Sequence, residues 1–173
     1  MTGLSRRKFV MGGGAALVTA LCPMAASAGS KPIYQGDVAY IQVRKAIRSL
    51  DLIGRDQKIL KSYRVQLGRS PHGHKRFQGD NKTPEGGYTI NRKNPHSKFH
   101  LSLGVSYPNR EDRGYAASRG RSPGGDIFVH GQPNGRQGTY AHDWTRGCIA
   151  VSNRDMDELF RVIRVGCPIH IFA

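Results

Sequence analysis

Short runs of alternating apolar and polar residues recur along most of the chain, the period-two pattern of strands with one buried face. Ala39-Tyr40-Ile41-Gln42-Val43 predicts the first strand. Ser49–Ile53 and Lys58–Val65 flank Gly54-Arg55-Asp56, and β-forming residues on either side of a Gly/Asp turn predict a hairpin. Gly86–Ile90 and Phe99–Val105 predict two further strands, with a loop rich in Gly and Pro over 68–82 and a turn at Tyr107-Pro108-Asn109. Asp126-Ile127-Phe128-Val129 reads as a buried strand ending at His130, and Pro168–Phe172 as a closing strand. The spacing predicts a single helix, over Asn153–Val165, because Met156, Leu159, Phe160 and Ile163 recur at i, i+3, i+4 and i+7. Ser152 to Asp155 reads as its capping box and Gly166 as its stop. The polar stretches 109–125 and 131–147 predict surface loops; the first, with four glycines, has the make-up of a mobile flap over a site. The fold class is mostly β, with one short helix near the C-terminus.

The first 28 residues break the pattern. Ser5-Arg6-Arg7-Lys8-Phe9-Val10 opens onto a glycine-diluted apolar stretch, and Ala26-Ser27-Ala28 is an A-x-A cleavage signature. Paired arginines before Phe resemble a twin-arginine (Tat) signal; a general secretory signal is the alternative. Leu21 before Cys22 does not suit a lipoprotein cleavage box. The organisation expected is a signal peptide over 1–28, a lead-in over 29–37 and one folded domain over 38–173, exported to the periplasm or cell envelope. No transmembrane segment is expected after the signal.

Composition narrows the class. With 173 residues the chain has room for one domain with a proper core, which excludes a multidomain machine. Hydrophobic residues, 38% of the total, recur in clusters, which excludes disorder. Lys+Arg number 27 against 12 acids, a net charge of +15, and the leader accounts for three of the basic residues. Such a surface suits an anionic neighbour: wall-peptide carboxylates, anionic lipid or nucleic acid. No nucleic-acid motif with interleaved aromatics accompanies the charge. A basic binding module is therefore the non-catalytic reading.

Two cysteines remain beyond the leader, Cys148 and Cys167, and an oxidising compartment allows them to pair. Cys148 nevertheless sits in a chemical setting, Asp143-Trp144-Thr145-Arg146-Gly147-Cys148-Ile149-Ala150-Val151. A turn after glycine exposes a thiol while successive backbone N–H groups converge on one point, where they can hold an oxyanion. A free thiol, with a pKa of about 8.5, needs a base to become a competent nucleophile at neutral pH. His130 at a strand end is rigid enough to serve, and the Gly131 carbonyl can fix its tautomer. His142 is a competing base. His130, His142 and Cys148 could also be read as zinc ligands, although no CxxC or HxxxH spacing supports it. His72, His74, His96, His100 and His170 are read as surface or structural histidines.

Phe128-Val129-His130-Gly131 followed by Thr145-Arg146-Gly147-Cys148 resembles the paired signature of the L,D-transpeptidase catalytic domain (YkuD-type). Gln78–Tyr88, Ser122–Ile127 and Asp143–Val151 extend the resemblance, the last toward the YafK-type branch. It covers about residues 38–173. The resemblance implies a mostly β sandwich or barrel. It implies Cys148 as nucleophile, His130 as base, the Gly131 carbonyl as its orienter, and the N–H groups of Arg146, Gly147 and Cys148 as oxyanion donors. It implies peptidoglycan stem peptides as substrate, acyl transfer to an amine giving 3→3 cross-links or wall-protein attachment, a monomer, and no metal or cofactor. The YafK-type branch adds a hydrolytic alternative that releases a wall-attached lipoprotein. Many members carry His where Arg146 stands and Asn or Arg where Ala150 stands, so the acceptor is open. Arg146 suits a carboxylate by bidentate pairing. Thr145, Trp144 and Arg119 join it as candidate substrate contacts, with Arg113 and Arg121 also considered. Trp144 and Tyr140 are read as cleft walls or packing.

Overall fold

A computed structural model of the protein describes residues 32–173; the expected leader, 1–28, and the start of the lead-in lie outside the described residues. The elements in chain order are β1 (Val38–Arg44), β2 (Ser49–Gly54), β3 (Ile59–Arg64), β4 (Gly86–Ser97), β5 (His100–Val105), α1 (Arg110–Ala117), β6 (Phe128–His130), β7 (Ile149–Ala150), α2 (Asn153–Val162) and β8 (Pro168–Phe172). The strands form one sheet in the order β3-β2-β1-β8-β4-β5-β6-β7. β1 runs parallel to β8 and β6 parallel to β7; the other neighbours are antiparallel.

The two ends of this sheet meet. Just beyond β3, Gln66 forms an antiparallel bridge with Ala150 of β7, and Gly68 a parallel bridge with Thr145. Gln66 and Ala150 exchange both N–H···O bonds at 2.8 Å. The sheet curls back on itself as a barrel does, in line with the sandwich or barrel expected, and exposes little free edge. Its inner face carries the core. In β8, Ile169 and Ile171 are buried while His170 and Phe172 face out. In β1, a register shift between Val38 and Tyr40 resets the alternation so that Val38, Ile41 and Val43 all point inward. Helix α2 closes the barrel with Met156 and Leu159 of the stripe read from the sequence, and Ile163 just beyond its end is buried as well; Val162 joins them, while Phe160 is only partly buried. Ser152 Oγ accepts the Asp155 N–H at 3.1 Å, and its hydroxyl donates to the Asp155 carboxylate.

Four elements differ from the sequence expectation. α1 occupies the first half of the expected flap, so the chain has two helices where one was expected. It carries a reciprocal capping box: Asn109 accepts the Asp112 N–H, and Asp112 accepts the Asn109 N–H. The buried Asp112 carboxylate also takes the Tyr88 hydroxyl at 2.9 Å and His74 Nε2 at 2.8 Å, which anchors the helix to the barrel. β4 runs on to Ser97 through polar residues because β5 pairs with its backbone. Helix α2 stops at Val162, three residues early, because Ile163 turns extended while staying buried. β7 has only two residues and gave no signal of its own.

Ile169 is fully buried in a strand paired on both sides. Ile169→Ala is expected to cost about 2–5 kcal/mol, read as a lower urea midpoint at unchanged m-value.

Candidate active site

Register brings the two chemistry-bearing segments together. In the parallel pair β6–β7, Val129 lies opposite Ile149 and His130 opposite Ala150. Val129 and Ile149 point into the core and have no exposure. Side chains alternate along a strand, so Phe128, His130 and, one residue before Ile149, Cys148 fall on the other face. All three line one cleft of about 390 Å³, together with Phe99, Ser102 and His96.

His130 is 4% exposed. Its Nδ1 lies 2.7 Å from the Gly131 carbonyl. A carbonyl only accepts, so Nδ1 carries the proton and Nε2 keeps a bare lone pair. The ring packs 4.7 Å from Phe99 and edge-on to Trp144 at 5.7 Å. Burial pushes its pKa below the ordinary 6.5, against a smaller opposing effect of the Gly131 bond. A side chain at Gly131 would run into Asn153 Oδ1 at 2.5 Å and His100 Cβ at 2.9 Å, so the orienting carbonyl comes from the one residue type that fits.

Cys148 Sγ donates to the Asp126 carbonyl at 3.4 Å. Burial pushes this thiol above its ordinary value of 9; the Phe128 N–H and the Lys75 charge pull it down, and the Asp126 carboxylate pushes it up. Both shifts favour the neutral forms, a thiol and an imidazole. Cys167 is a second free thiol, buried and pushed up to about 11.

The turn before Cys148 is built differently from the expectation. Thr145, 4% exposed, accepts the Gly147 N–H at 3.1 Å and donates its hydroxyl to the Cys148 carbonyl at 2.7 Å. The Gly147 N–H is therefore engaged inside the turn. Thr145 is likewise a staple of the turn and not a surface contact. Gly147 sits at φ +131°, and a Cβ there would meet the Lys82 carbonyl at 2.6 Å. Asp143 ties the approach to the barrel, accepting the Leu67 N–H at 2.8 Å and Arg48 Nη2 at 2.8 Å.

The other sequence candidates scatter. Trp144 walls His130 and stacks 4.8 Å from Tyr140; its indole N–H is buried without a partner among the described residues. Arg146 is exposed and lines a neighbouring cleft with Lys75. Arg119 stacks on Tyr115 at 3.7 Å, at the end of α1, and lines neither cleft. His142 is exposed against Tyr140 and lines a different cleft, beside Arg48. No group of three or more His, Cys, Asp or Glu among the described residues is placed to hold a metal, so the zinc reading of His130, His142 and Cys148 has no geometric support. Lys75 and the Asp126 carbonyl were missed; neither has a signature outside the folded chain.

The raised thiol has a direct consequence. Iodoacetamide labelling of Cys148, followed by intact mass, is expected to rise about tenfold per pH unit from pH 7 to 9 without levelling. A plateau near pH 6 would indicate a preformed thiolate–imidazolium pair. Buried Cys167 stays unlabelled in the native protein.

Comparisons with known proteins place the fold in a family. The model of the YkuD family, the L,D-transpeptidase catalytic domain, matches residues 38–171. YafK of Escherichia coli K12 is 30% identical over 133 residues, 74% of this chain and 48% of its own. A mutant of the helical cell shape determining protein Pgp2 from Campylobacter jejuni superposes with a TM-score of 0.63 at 29% identity, over 83% of this chain and 51% of that one. Bd1075 of Bdellovibrio bacteriovorus gives 0.57 at 26%, over 81% and 48%. The chain thus spans about half the length of these relatives. With a matched domain that runs from the first strand to the last and takes in both His130 and Cys148, the chain belongs to the YkuD family of L,D-transpeptidase catalytic domains.

Proposed function

We propose that this domain is a cysteine acyltransferase acting on the peptide stems of peptidoglycan, in a chain exported by the twin-arginine route. One observation carries the reading. A histidine whose tautomer is set by a backbone carbonyl lines the same cleft as a cysteine that immediately precedes the adjacent buried strand. The likeness to a cell-shape determining protein supports a wall substrate, and the composition of 1–28 supports export.

The steps follow from the groups present. Cys148 Sγ attacks the acyl carbon of an L–D peptide bond as its proton passes to His130 Nε2. The Arg146 and Cys148 N–H groups hold the oxyanion. The C–N bond breaks, the departing D-residue amine takes the proton from the imidazolium, and a thioester remains on Cys148. An amine then gives its proton to Nε2 and attacks the thioester; the new amide forms and the thiol is restored. Water in place of the amine gives hydrolysis by the same route.

Incubation of the purified chain with disaccharide-tetrapeptide, with and without an amine acceptor, tests this. Mass spectrometry is expected to show a thioester on Cys148 and released D-alanine, both surviving high salt. Cys148→Ala should give neither, and His130→Ala should slow acylation by about 10²–10⁴-fold. Undiminished D-alanine release by Cys148→Ala would refute the reading. Salt-sensitive binding without an adduct would favour a basic wall-binding module.

A further inference from the structure

Two clefts of opposite character meet at Asp126. One is the largely apolar cleft of Phe99, Phe128, His130 and Cys148. The other, about 460 Å³, presents the Lys75 ammonium, the Arg146 guanidinium, the Gln78 and Asn81 carboxamides and the Ser122 hydroxyl. Asp126 is the one acid among its lining residues, and its carboxylate is 86% exposed and paired with Arg92 at 3.0 Å.

One cation of this second cleft is built in. The Lys75 side chain is 4% exposed. Its ammonium is fixed by Asp80 Oδ1 at 2.8 Å and the Phe77 carbonyl at 3.0 Å, which leaves one of three donors open. Asp80 is itself locked by the N–H groups of Arg76, Phe77 and Lys82. The floor is rigid: Gln78 N–H donates to the Ser122 carbonyl at 2.8 Å, and Arg121 stacks on Phe77 at 3.9 Å. Arg146 has no carboxylate partner among the described residues.

Acid–base chemistry decides which half of a substrate enters which cleft. The departing amine must take its proton from His130, so it lies on the imidazole side, in the apolar cleft. The acyl half runs the opposite way from the attacked carbonyl, past Asp126, into the cationic cleft. We infer that this cleft receives the acyl half of the substrate and selects one bearing a free carboxylate, held by Arg146 with Lys75. The inference rests on acyl transfer at Cys148. A guanidinium pairs with a carboxylate through two parallel charge-assisted bonds. A neutral carboxamide in the same place offers the Arg146 guanidinium no counter-charge and the open Lys75 donor only a neutral acceptor.

Three peptides test it with the full chain: one with free acyl-half carboxylates, one with these replaced by carboxamides, and one with only the leaving residue amidated. The readout is the rate of thioester formation on Cys148 by intact mass. Amidating the acyl half is expected to slow acylation about tenfold or more, and amidating the leaving residue by less than about threefold. Arg146→Gln should bring the acid-to-amide ratio toward one, and Arg146→Lys should restore part of it. A ratio that a merely structural role would leave unchanged is thus the diagnostic. Equal wild-type rates on acid and amide, or a loss that follows the leaving residue, would overturn the cleft assignment while leaving acyl transfer intact. No thioester on any of the three would overturn both.

Discussion

Two register positions between β6 and β7 hold the site together. His130 and Cys148 come from segments separated by the loop over 131–147, and the pairing of Val129 with Ile149 and His130 with Ala150 fixes their offset. A two-residue strand is not stable by itself. β7 persists because its other edge is occupied: Gln66 brackets Ala150 with two hydrogen bonds, and Leu67 accepts the Thr145 N–H. Closure of the sheet is thus a functional requirement as well as a way to remove an edge. Glycines permit the last contacts. At Gly68 a Cβ would sit 2.1 Å from the Asn81 carbonyl and 3.1 Å from Gly147 Cα, so these strands approach as closely as backbone allows.

Burial sets the electrostatics of the pair and charges the fold for it at both ends of the pH scale. His130 is held below its ordinary 6.5, so the unfolded chain binds the proton first as pH falls, and the stability from this group is lost below about 6.5. Cys148 is held above 9, so the unfolded chain ionises first as pH rises, and stability is lost above that value. Between these limits both groups are neutral and ready for a concerted proton transfer. Lys75 moderates the cost by placing a fixed cation near the sulfur, where it favours the thiolate that forms during attack.

Legibility in the sequence followed the physics of burial. Strand β8 announces itself because one face is packed and the other wet, and β1 alternates more weakly, whereas β2 and β5 are buried on both faces and are legible through their β-forming residues beside turn signals. α1 does not, because its only buried residues are Asp112 and Ala116; its signal was the polar box Asn109/Asp112, whose anchors Tyr88 and His74 are distant in sequence. Cys148 and His130 were legible as a thiol after glycine and an imidazole at a strand end. The task of Thr145 was not, since it depends on Gly147 adopting φ +131° and turning its N–H inward. Lys75 was equally silent. A lysine five residues from an aspartate reads as surface charge until the fold buries the lysine against its partner.

The apolar cleft also constrains the second half of an acyl transfer. An acceptor amine must lose its proton before it can attack a thioester. Burial of an ammonium against Phe99 and Phe128 is unfavourable without a counter-charge, and the one carboxylate at the rim, Asp126, is already engaged by Arg92. On the proposed reading the cleft therefore favours the free-base form of an incoming amine, whose proton would pass to His130 Nε2, the nitrogen left free by the Gly131 bond. Water needs no such desolvation and competes whenever the cleft stands open. On the proposed reading the balance between transfer and hydrolysis turns on how completely the acceptor fills the space beside His130, while the cationic cleft on the far side of Asp126 would keep the acyl half in place through both steps.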